Sequence, residues 1–150
     1  MEALTPMIPD LPKVAGYSLA GPGYAISAAE NKKLCDSVGI VPAGDGSAHP
    51  IYFYIATQVG MGETVASLCS LCDFDVNDGP LLGACTVEFN EPLRVDTSYI
   101  VGGEIVSLTR KASKKLGVID LLEYRLTLSR DGKVVLIATN NWILPREAKK

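Results

Sequence analysis

With 150 residues and a mass of 16.0 kDa, the chain is long enough for one domain with a proper core, and its 47% hydrophobic and 21% charged residues are typical of a globular protein. The net charge of −3 and the isoelectric point near 5.1 argue against nucleic acid or an anionic membrane as the main partner. No apolar run is long enough to span a membrane, no leader peptide is visible and the four cysteines suggest free thiols, so we expect a cytoplasmic protein.

The first 48 residues contain one clear helix signal. Three prolines before residue 13 predict an extended arm, residues 1–15, ahead of a single domain that spans residues 16–150. Gly21-Pro22-Gly23 predicts a turn between two short strands within residues 16–27. Ser27 and Glu30 match a capping box, so we expect a helix from Ala28 to about Val38, followed by a loop.

The segment Gly44–Leu71, GDGSAHPIYFYIATQVGMGETVASLCSL, contains the only histidine and then a long apolar run. Proline suits the first position of a helix, so Pro50 predicts a helix that begins there and continues toward Leu71. His49 would then lie at the helix N-terminus, where backbone N–H groups point outward. A helix with so little polar surface is expected to be buried and wrapped by a sheet.

Four long strands are predicted after the turn-rich residues 73–80. We expect them at 81–93, 99–110, 118–130 and 133–144, with a loop at 111–117 and a tight turn at Asp131-Gly132. In the first strand the alternation places Cys85, Val87 and Phe89 on one face. Helices followed by antiparallel strands predict an α+β fold whose sheet curls over the buried helix.

Several stretches resemble the MaoC-like hydratase/dehydratase family, whose members have the hotdog fold. SAHPIYFYIATQVGMG (47–62) resembles the family segment that opens the central helix, and VEFNEPLRVDTSYIVGGEIVSL (87–108) resembles its strand–turn–strand unit. SRDGKVVLIATNNWILPR (129–146) resembles its closing hairpin. Residues 17–38 resemble the N-terminal part of the dehydratases whose two kinds of subunit pair as heterodimers.

The resemblance implies a six-stranded sheet around a five-turn helix. It also implies dimers, homomeric or heteromeric, that join two sheets edge to edge, and a tunnel for an acyl thioester at the subunit interface. The family reaction is the reversible addition of water to an enoyl thioester, without a cofactor. An Asp and a His activate the water, and a backbone N–H at a helix N-terminus holds the thioester oxygen.

The catalytic motif of the family, Gly-Asp-x-Asn-Pro-[Ile/Leu]-His, is not intact in this sequence. One alignment keeps Asp45 as the family aspartate and places His49 one residue early; a second puts Ser47 and Tyr52 at the two catalytic positions. A third treats Ala48-His49 as the later Ala-His segment, with the catalytic stretch deleted. We favour the third alignment, because the apolar run follows directly. The usual acid/base pair is then absent.

The candidate site residues follow from the residue types and from the resemblance. Histidine is the side chain that titrates near neutrality, so His49 is the candidate base, with helix capping as the alternative. The proposed assistants are Asp45, whose alternative is a solvated loop carboxylate, and Tyr52. Substrate contacts are assigned to Tyr54, Tyr24, Gly60 and Gly62, with a core role as the alternative for the tyrosines and backbone packing as the favoured alternative for the glycines.

Two further groups of residues invite a functional interpretation. Arg110, Lys111 and Lys114 are the candidate phosphate-binding residues, with a solvated hairpin as the alternative. Cys69-x-x-Cys72 has no second pair of ligands in the sequence, so we expect structural thiols and no metal site.

Three functions remain open from the sequence. The leading hypothesis is a lyase of the hydratase/dehydratase type, with a modified site centred on His49 and an acyl thioester or a similar small carbonyl compound as substrate. The second is a non-catalytic hotdog subunit that shapes the acyl tunnel of a catalytic partner. The third is a hotdog thioesterase, for which Glu63 is the candidate acidic residue on the central helix.

Overall fold

A computed structural model describes residues 8–146. Five antiparallel strands form one sheet in the order β1-β3-β4-β5-β2. The strands are β1 (Tyr24–Ile26), β2 (Leu81–Phe89), β3 (Thr97–Ser113), β4 (Gly117–Arg130) and β5 (Lys133–Pro145). The helices are α1 (Ala28–Ser37), α2 (Tyr52–Gly60) and α3 (Val65–Leu71), followed by a short 3-10 turn, Val76–Asp78.

The predicted central helix is broken into α2 and α3, so a continuous helix from Pro50 to Leu71 is wrong. Pro50 lies in the turn that precedes α2 rather than at its first position. After α2 ends, Gly62 adopts a left-handed φ of 82°, which a helix cannot continue. Thr64 then caps α3 through a reciprocal capping box with Ser67. The nine residues of α2 also fall short of the five turns that the resemblance implies.

The sheet encloses α2 as the apolar pattern predicts. Tyr52 and Ala56 of α2 are buried together with inward side chains of β3, β4 and β5 in one core. Tyr124 and Trp142 from neighbouring strands pack edge to face there, with ring centroids 5.4 Å apart. None of the helices within residues 8–146 has both the length and the apolar character needed to cross a bilayer.

The strand pairing matches the predicted alternation but extends one hairpin. Asp131 and Gly132 both have positive φ and close the β4–β5 hairpin, which is the geometry of a tight primed turn. The β3–β4 ladder continues to Ser113 paired with Gly117. The predicted loop at 111–117 is therefore mostly strand.

The N-terminal region contains one of the two predicted short strands. The second is β1, whereas the first is a single bridge between Ser18 and Glu104 of β3. Residues 8–15 contain no helix or strand, and residues 1–7 of the predicted arm lie outside the described part of the chain. The six-stranded sheet that the resemblance implies is thus five strands and one bridge within residues 8–146.

Strand β2 forms an open edge of the sheet. Among residues 8–146 it pairs with β5 on one side only, and most of its residues are exposed on both faces. Its register places Cys85, Val87 and Phe89 opposite Asn140, Ala138 and Leu136, which are buried on the inner face. The predicted face of β2 is therefore the inner one, although little of it is covered.

Candidate functional site

A cavity of about 600 Å³ opens beside the N-terminus of α2. Its wall contains Cys35 of α1, parts of the loop 40–50 including His49, and residues 89–93 at the end of β2. Most of these side chains are apolar, and Val41 at its rim is 87% exposed. A concave, mostly apolar site with a few polar side chains, here including His49 and Glu91, is the usual form of a small-molecule pocket.

Two hydrogen bonds fix the backbone that carries His49. The buried Asn31 of α1 accepts the N–H of His49 through Oδ1 at 2.8 Å. The N–H of Ala48 donates to the carbonyl of Leu93 at 2.7 Å. Residues 48–49 are thereby held between α1 and the segment that follows β2, with the imidazole at the pocket wall.

The imidazole of His49 caps the turn that leads into helix α2. Its Nδ1 accepts the N–H of Ile51 at 3.0 Å, and its carbonyl accepts the N–H of Tyr52 at 3.1 Å. Since Nδ1 is an acceptor, the neutral ring carries its proton on Nε2 and presents a donor to any further contact. This is the capping role that the sequence left open beside the role of base.

The backbone N–H groups at the start of α2 are all occupied within the chain. Besides those of Ile51 and Tyr52, the N–H of Phe53 bonds to the carbonyl of Pro50 and that of Tyr54 to Ile51. A helix normally leaves its first N–H groups free for a cap or a ligand. Here none of these four is free to hold a thioester oxygen.

Asp45 lies in the adjacent loop but does not pair with His49. Its Oδ1 accepts the N–H of Ser47 at 2.9 Å in a local turn. These bonds from Ser47 hold the pKa of the Asp45 carboxyl below its usual value. Arg94 donates to the carbonyl of Asp45 at 2.7 Å, so the loop is fixed without the histidine.

The predicted tyrosines do not line the cavity. Tyr52 is 1% exposed in the core, and its ring centroid lies 6.4 Å from that of Tyr24. The hydroxyl of Tyr24 donates to Glu30, and burial raises the pKa of both phenols. Tyr54 is half-buried and packs edge to face on Phe53.

The predicted glycines mark a close approach of two backbones. A Cβ on Gly60 would meet Val101 at 2.6 Å, and one on Gly62 would meet the carbonyl of Ala20 at 2.8 Å. The segment that contains Gly21 therefore packs directly on the end of α2. Gly60 and Gly62 were assigned to a ligand, and in the structure they contact protein atoms instead.

The predicted phosphate site is part of a structural ion cluster. Arg110 donates from Nε to Oδ1 of Asp120 at 2.8 Å, and Asp120 is fully buried. Arg146 binds Oδ2 of the same carboxylate at 2.6 Å and also donates to the carbonyls of Cys72 and Asp73. Arg110 is thus committed to Asp120, whose hydrogen bond raises the pKa of the guanidinium.

The other basic and thiol groups follow their simpler interpretations. Lys111 and Lys114 are exposed on the β3–β4 hairpin and do not contribute to the cavity wall. Cys69 and Cys72 are buried, and burial raises the pKa of the Cys72 thiol to about 12. Both therefore remain protonated thiols that pack in the core.

Three functional or structural residues were not identified from the sequence. Asn31 anchors His49 from α1, and Asp120 binds Arg110 across the β3–β4 hairpin and Arg146 after β5. Neither contact is marked by a sequence motif. Arg94 is an exposed cation adjacent to Leu93 and bonded to the loop of Asp45, both beside the cavity. Its position directly after Pro92-Leu93 in the family-like strand–turn–strand unit was the available signal.

Comparison with known proteins gives matches by structure but none by sequence. No family model matches the sequence, and no curated protein matches it by sequence. Solved structures do match. The C-terminally truncated HadBC complex, a (3R)-hydroxyacyl-ACP dehydratase from Mycobacterium tuberculosis, aligns with a TM-score of 0.66 at 12% identity, over 91% of this chain and 99% of that one.

Two further structures give the same result. The ChsH1-ChsH2 complex from Mycobacterium tuberculosis aligns with a TM-score of 0.67 at 12% identity, over 89% of this chain and 85% of that one. The MaoC-like dehydratase from Rhodospirillum rubrum aligns with a TM-score of 0.60 at 13% identity, over 91% and 96%. These likenesses confirm the predicted α+β hotdog fold, which is the fold of the MaoC-like dehydratases that the sequence resembles.

Proposed function

We propose that the chain is an acyl-binding hotdog subunit of a hydratase/dehydratase assembly, and that its partner supplies the acid/base pair. The observation that carries this proposal is the state of the helix N-terminus. Nδ1 of His49 accepts the N–H of Ile51, the next three N–H groups donate to the backbone carbonyls of residues 49–51, and Asp45 accepts the N–H of Ser47. The groups that would activate water and hold a thioester oxygen are therefore already used.

The cavity supports the binding half of the proposal. Ile40, Val41 and Phe89 give it apolar walls, and about 600 Å³ is enough for a small acyl group. The exposed Arg94 directly follows the wall residue Leu93, and its guanidinium donates to the carbonyl of Asp45 in the adjacent loop. It therefore replaces Arg110 as the candidate contact for a phosphate on the carrier of the acyl group.

The open edge of the sheet supports the assembly half. Unpaired backbone groups on β2 provide a template for another strand, and Leu82 and Phe89 are 52% and 42% exposed on it. Along α2, Ile51, Ile55 and Val59 follow the spacing of one helix face, and Val59 is 65% exposed. A second hotdog subunit would cover both surfaces. Two of the matching structures are themselves complexes of two different chains.

A lyase that acts alone is the second candidate. It is favoured by the position of His49 in the cavity wall, where Nε2 has no hydrogen-bond partner among residues 8–146. That nitrogen could donate a hydrogen bond to the oxygen that enters or leaves in the reaction. A thioesterase has no comparable support, because Glu63 accepts hydrogen bonds from Tyr17 and Ser67 at the α2–α3 junction.

One experiment separates the two candidates. The purified chain is assayed for binding and for hydration of short and medium enoyl-CoAs, alone and together with a co-expressed hotdog partner. The subunit proposal expects binding without turnover alone and turnover with the partner, with His49→Asn active in the complex. Turnover by the chain alone that disappears in His49→Asn would overturn the subunit proposal in favour of the lyase.

A further inference from the structure

Asn140 in the middle of β5 is a buried polar residue without a partner. It is fully buried, and neither Oδ1 nor Nδ2 has a hydrogen-bond partner among residues 8–146. Buried amides in proteins are nearly always hydrogen-bonded, because an unpaired donor or acceptor loses its contacts with water and gains none. A leucine would fill such a core position without this loss. The amide therefore points to a polar group that binds from outside the chain.

The neighbours of Asn140 form a neutral hydrogen-bonding cluster. Tyr124 of β4 and Cys85 of β2 are its cross-strand partners, so the three side chains share the inner face. The hydroxyl of Tyr124 and the side-chain amide of Gln58 on α2 bond to each other at 3.1–3.2 Å. Burial raises the pKa of Tyr124, which keeps the phenol uncharged. This cluster suits a neutral ligand group.

One face of β2 links the cavity beside His49 to the edge of this cluster. Phe53 of α2 packs edge to face on Phe89, with ring centroids 6.2 Å apart, but Phe89 and Cys85 both remain exposed on the inner face of β2. Phe89 belongs to the cavity wall, and Cys85 lies four residues further along the strand, about 13 Å away. This exposed strip of β2 therefore leads from the cavity to Cys85, the residue opposite Asn140.

We propose that Asn140, with Tyr124 and Gln58, forms a buried polar subsite next to Cys85 at the far end of this strip, and that it hydrogen-bonds a hydroxyl group on an acyl chain that lies along β2. A hydroxyl can donate to Oδ1 and accept from Nδ2 of the same amide, so it satisfies both orphan atoms at once. The subsite rests on the proposed acyl-binding function and adds a substrate class, acyl chains that are hydroxylated away from the thioester.

The test compares matched acyl-CoAs by isothermal titration calorimetry on the full chain. One is a plain medium-chain acyl-CoA, and the others are its positional isomers with a single hydroxyl in the distal half of the chain. The best isomer is expected to bind about fivefold more tightly than the plain chain, the value of one net hydrogen bond. Asn140→Leu is expected to remove this preference. Tyr124→Phe, which deletes only a hydroxyl, is the second variant if Asn140→Leu does not fold.

The neighbouring Asn141 provides the matched control. It pairs with Ala84 and Glu123 and points to the opposite face of the sheet, so Asn141→Leu should keep the preference. Equal binding of all chains by the wild type would overturn the subsite and leave the acyl-binding function intact. No binding of any thioester would overturn both. An unchanged preference in Asn140→Leu with a lower melting temperature would mean that Asn140 holds an ordered water only, which also overturns the subsite.

Discussion

At the scale of single residues, His49 shows how one side chain can satisfy a motif and still serve another purpose. Its type and its place before an apolar helix predict a base, and its place at the helix N-terminus is confirmed by the geometry. The same geometry uses Nδ1 to accept the N–H of Ile51. A ring that caps its own helix is held in one orientation and one tautomer, which suits a wall residue better than a proton acceptor.

The capping role of His49 predicts that two substitutions at this position lower the free energy of unfolding by different amounts. His49→Ala removes the acceptor for Ile51 and should lower the free energy of unfolding by about 1 kcal/mol, the usual value of a cap. His49→Asn should retain most of the stability, because asparagine is a strong capping residue. Urea denaturation measures both. Equal losses in the two variants would show that the ring contributes by packing and not as a cap.

The proposed contact between Arg94 and a phosphate of the acyl carrier can be tested by substitution. Arg94→Gln should weaken the binding of an acyl-CoA about threefold, the scale of one exposed charge pair, and leave the binding of the matched acyl-pantetheine unchanged. Lys111→Gln on the β3–β4 hairpin removes the same charge away from the cavity wall and is the control. Comparable weakening by both variants would assign the effect to net charge and contradict a local phosphate contact.

At the scale of secondary-structure elements, the sequence predicts which side chains share one face of a strand better than it predicts where a helix ends. The alternation of Cys85, Val87 and Phe89 gives the inner face of β2 correctly, because a period of two survives any change of partner. The break between α2 and α3 was missed, although Gly62 and the Thr64–Ser67 box signal it locally. The continuous apolar run outweighed those signals, since two short buried helices and one long helix have the same composition.

The cluster around Asp120 was not predicted, because it joins a cross-strand pair of the β3–β4 hairpin to Arg146 after β5 and, through Arg146, to the end of α3. Arg110 on β3 and Arg146 after β5 meet the same buried carboxylate of β4, and Arg146 also holds the carbonyls at the end of α3. In the sequence Asp120 is a single acid within an apolar strand. Only the fold shows that its charge is compensated twice.

The cluster around Asp120 predicts a large loss of stability for a substitution that barely changes the shape of the side chain. Asp120→Asn leaves two arginines against a neutral amide, one of them only 7% exposed, and should lower the free energy of unfolding by about 3 kcal/mol. Asp36→Asn breaks an exposed ion pair with Lys32 and should change it by less than about 0.5 kcal/mol. Chemical denaturation compares the two variants. Similar small effects would contradict a structural role for the buried carboxylate.

At the scale of the whole molecule, the strand and helix pattern predicted an α+β fold, and the resemblance to MaoC-like motifs predicted the hotdog fold. The site was not predicted. The fold depends on apolar periodicity along the entire chain, which a shortened loop does not disturb. The site depends on which N–H and carbonyl groups are free, and local hydrogen bonds decide that at Ser47, His49 and Ile51. Neither the capping ring nor the open face of β2 is visible in a motif.

The open edge of β2 predicts that assembly protects one thiol. Cys85 is exposed, whereas Cys35, Cys69 and Cys72 are buried, so one thiol per native chain should react with a disulfide reagent. Partial burial raises the pKa of the Cys85 thiol, so its reaction should accelerate with rising pH as the thiolate forms.

The same reaction tests whether a second subunit covers β2. If it does, the reaction rate at fixed pH should decrease as the protein concentration increases, in proportion to the associated fraction. Cys85→Ser should remove the reaction and identify it. A rate that stays constant while sedimentation shows dimers would place the interface elsewhere and contradict pairing through β2.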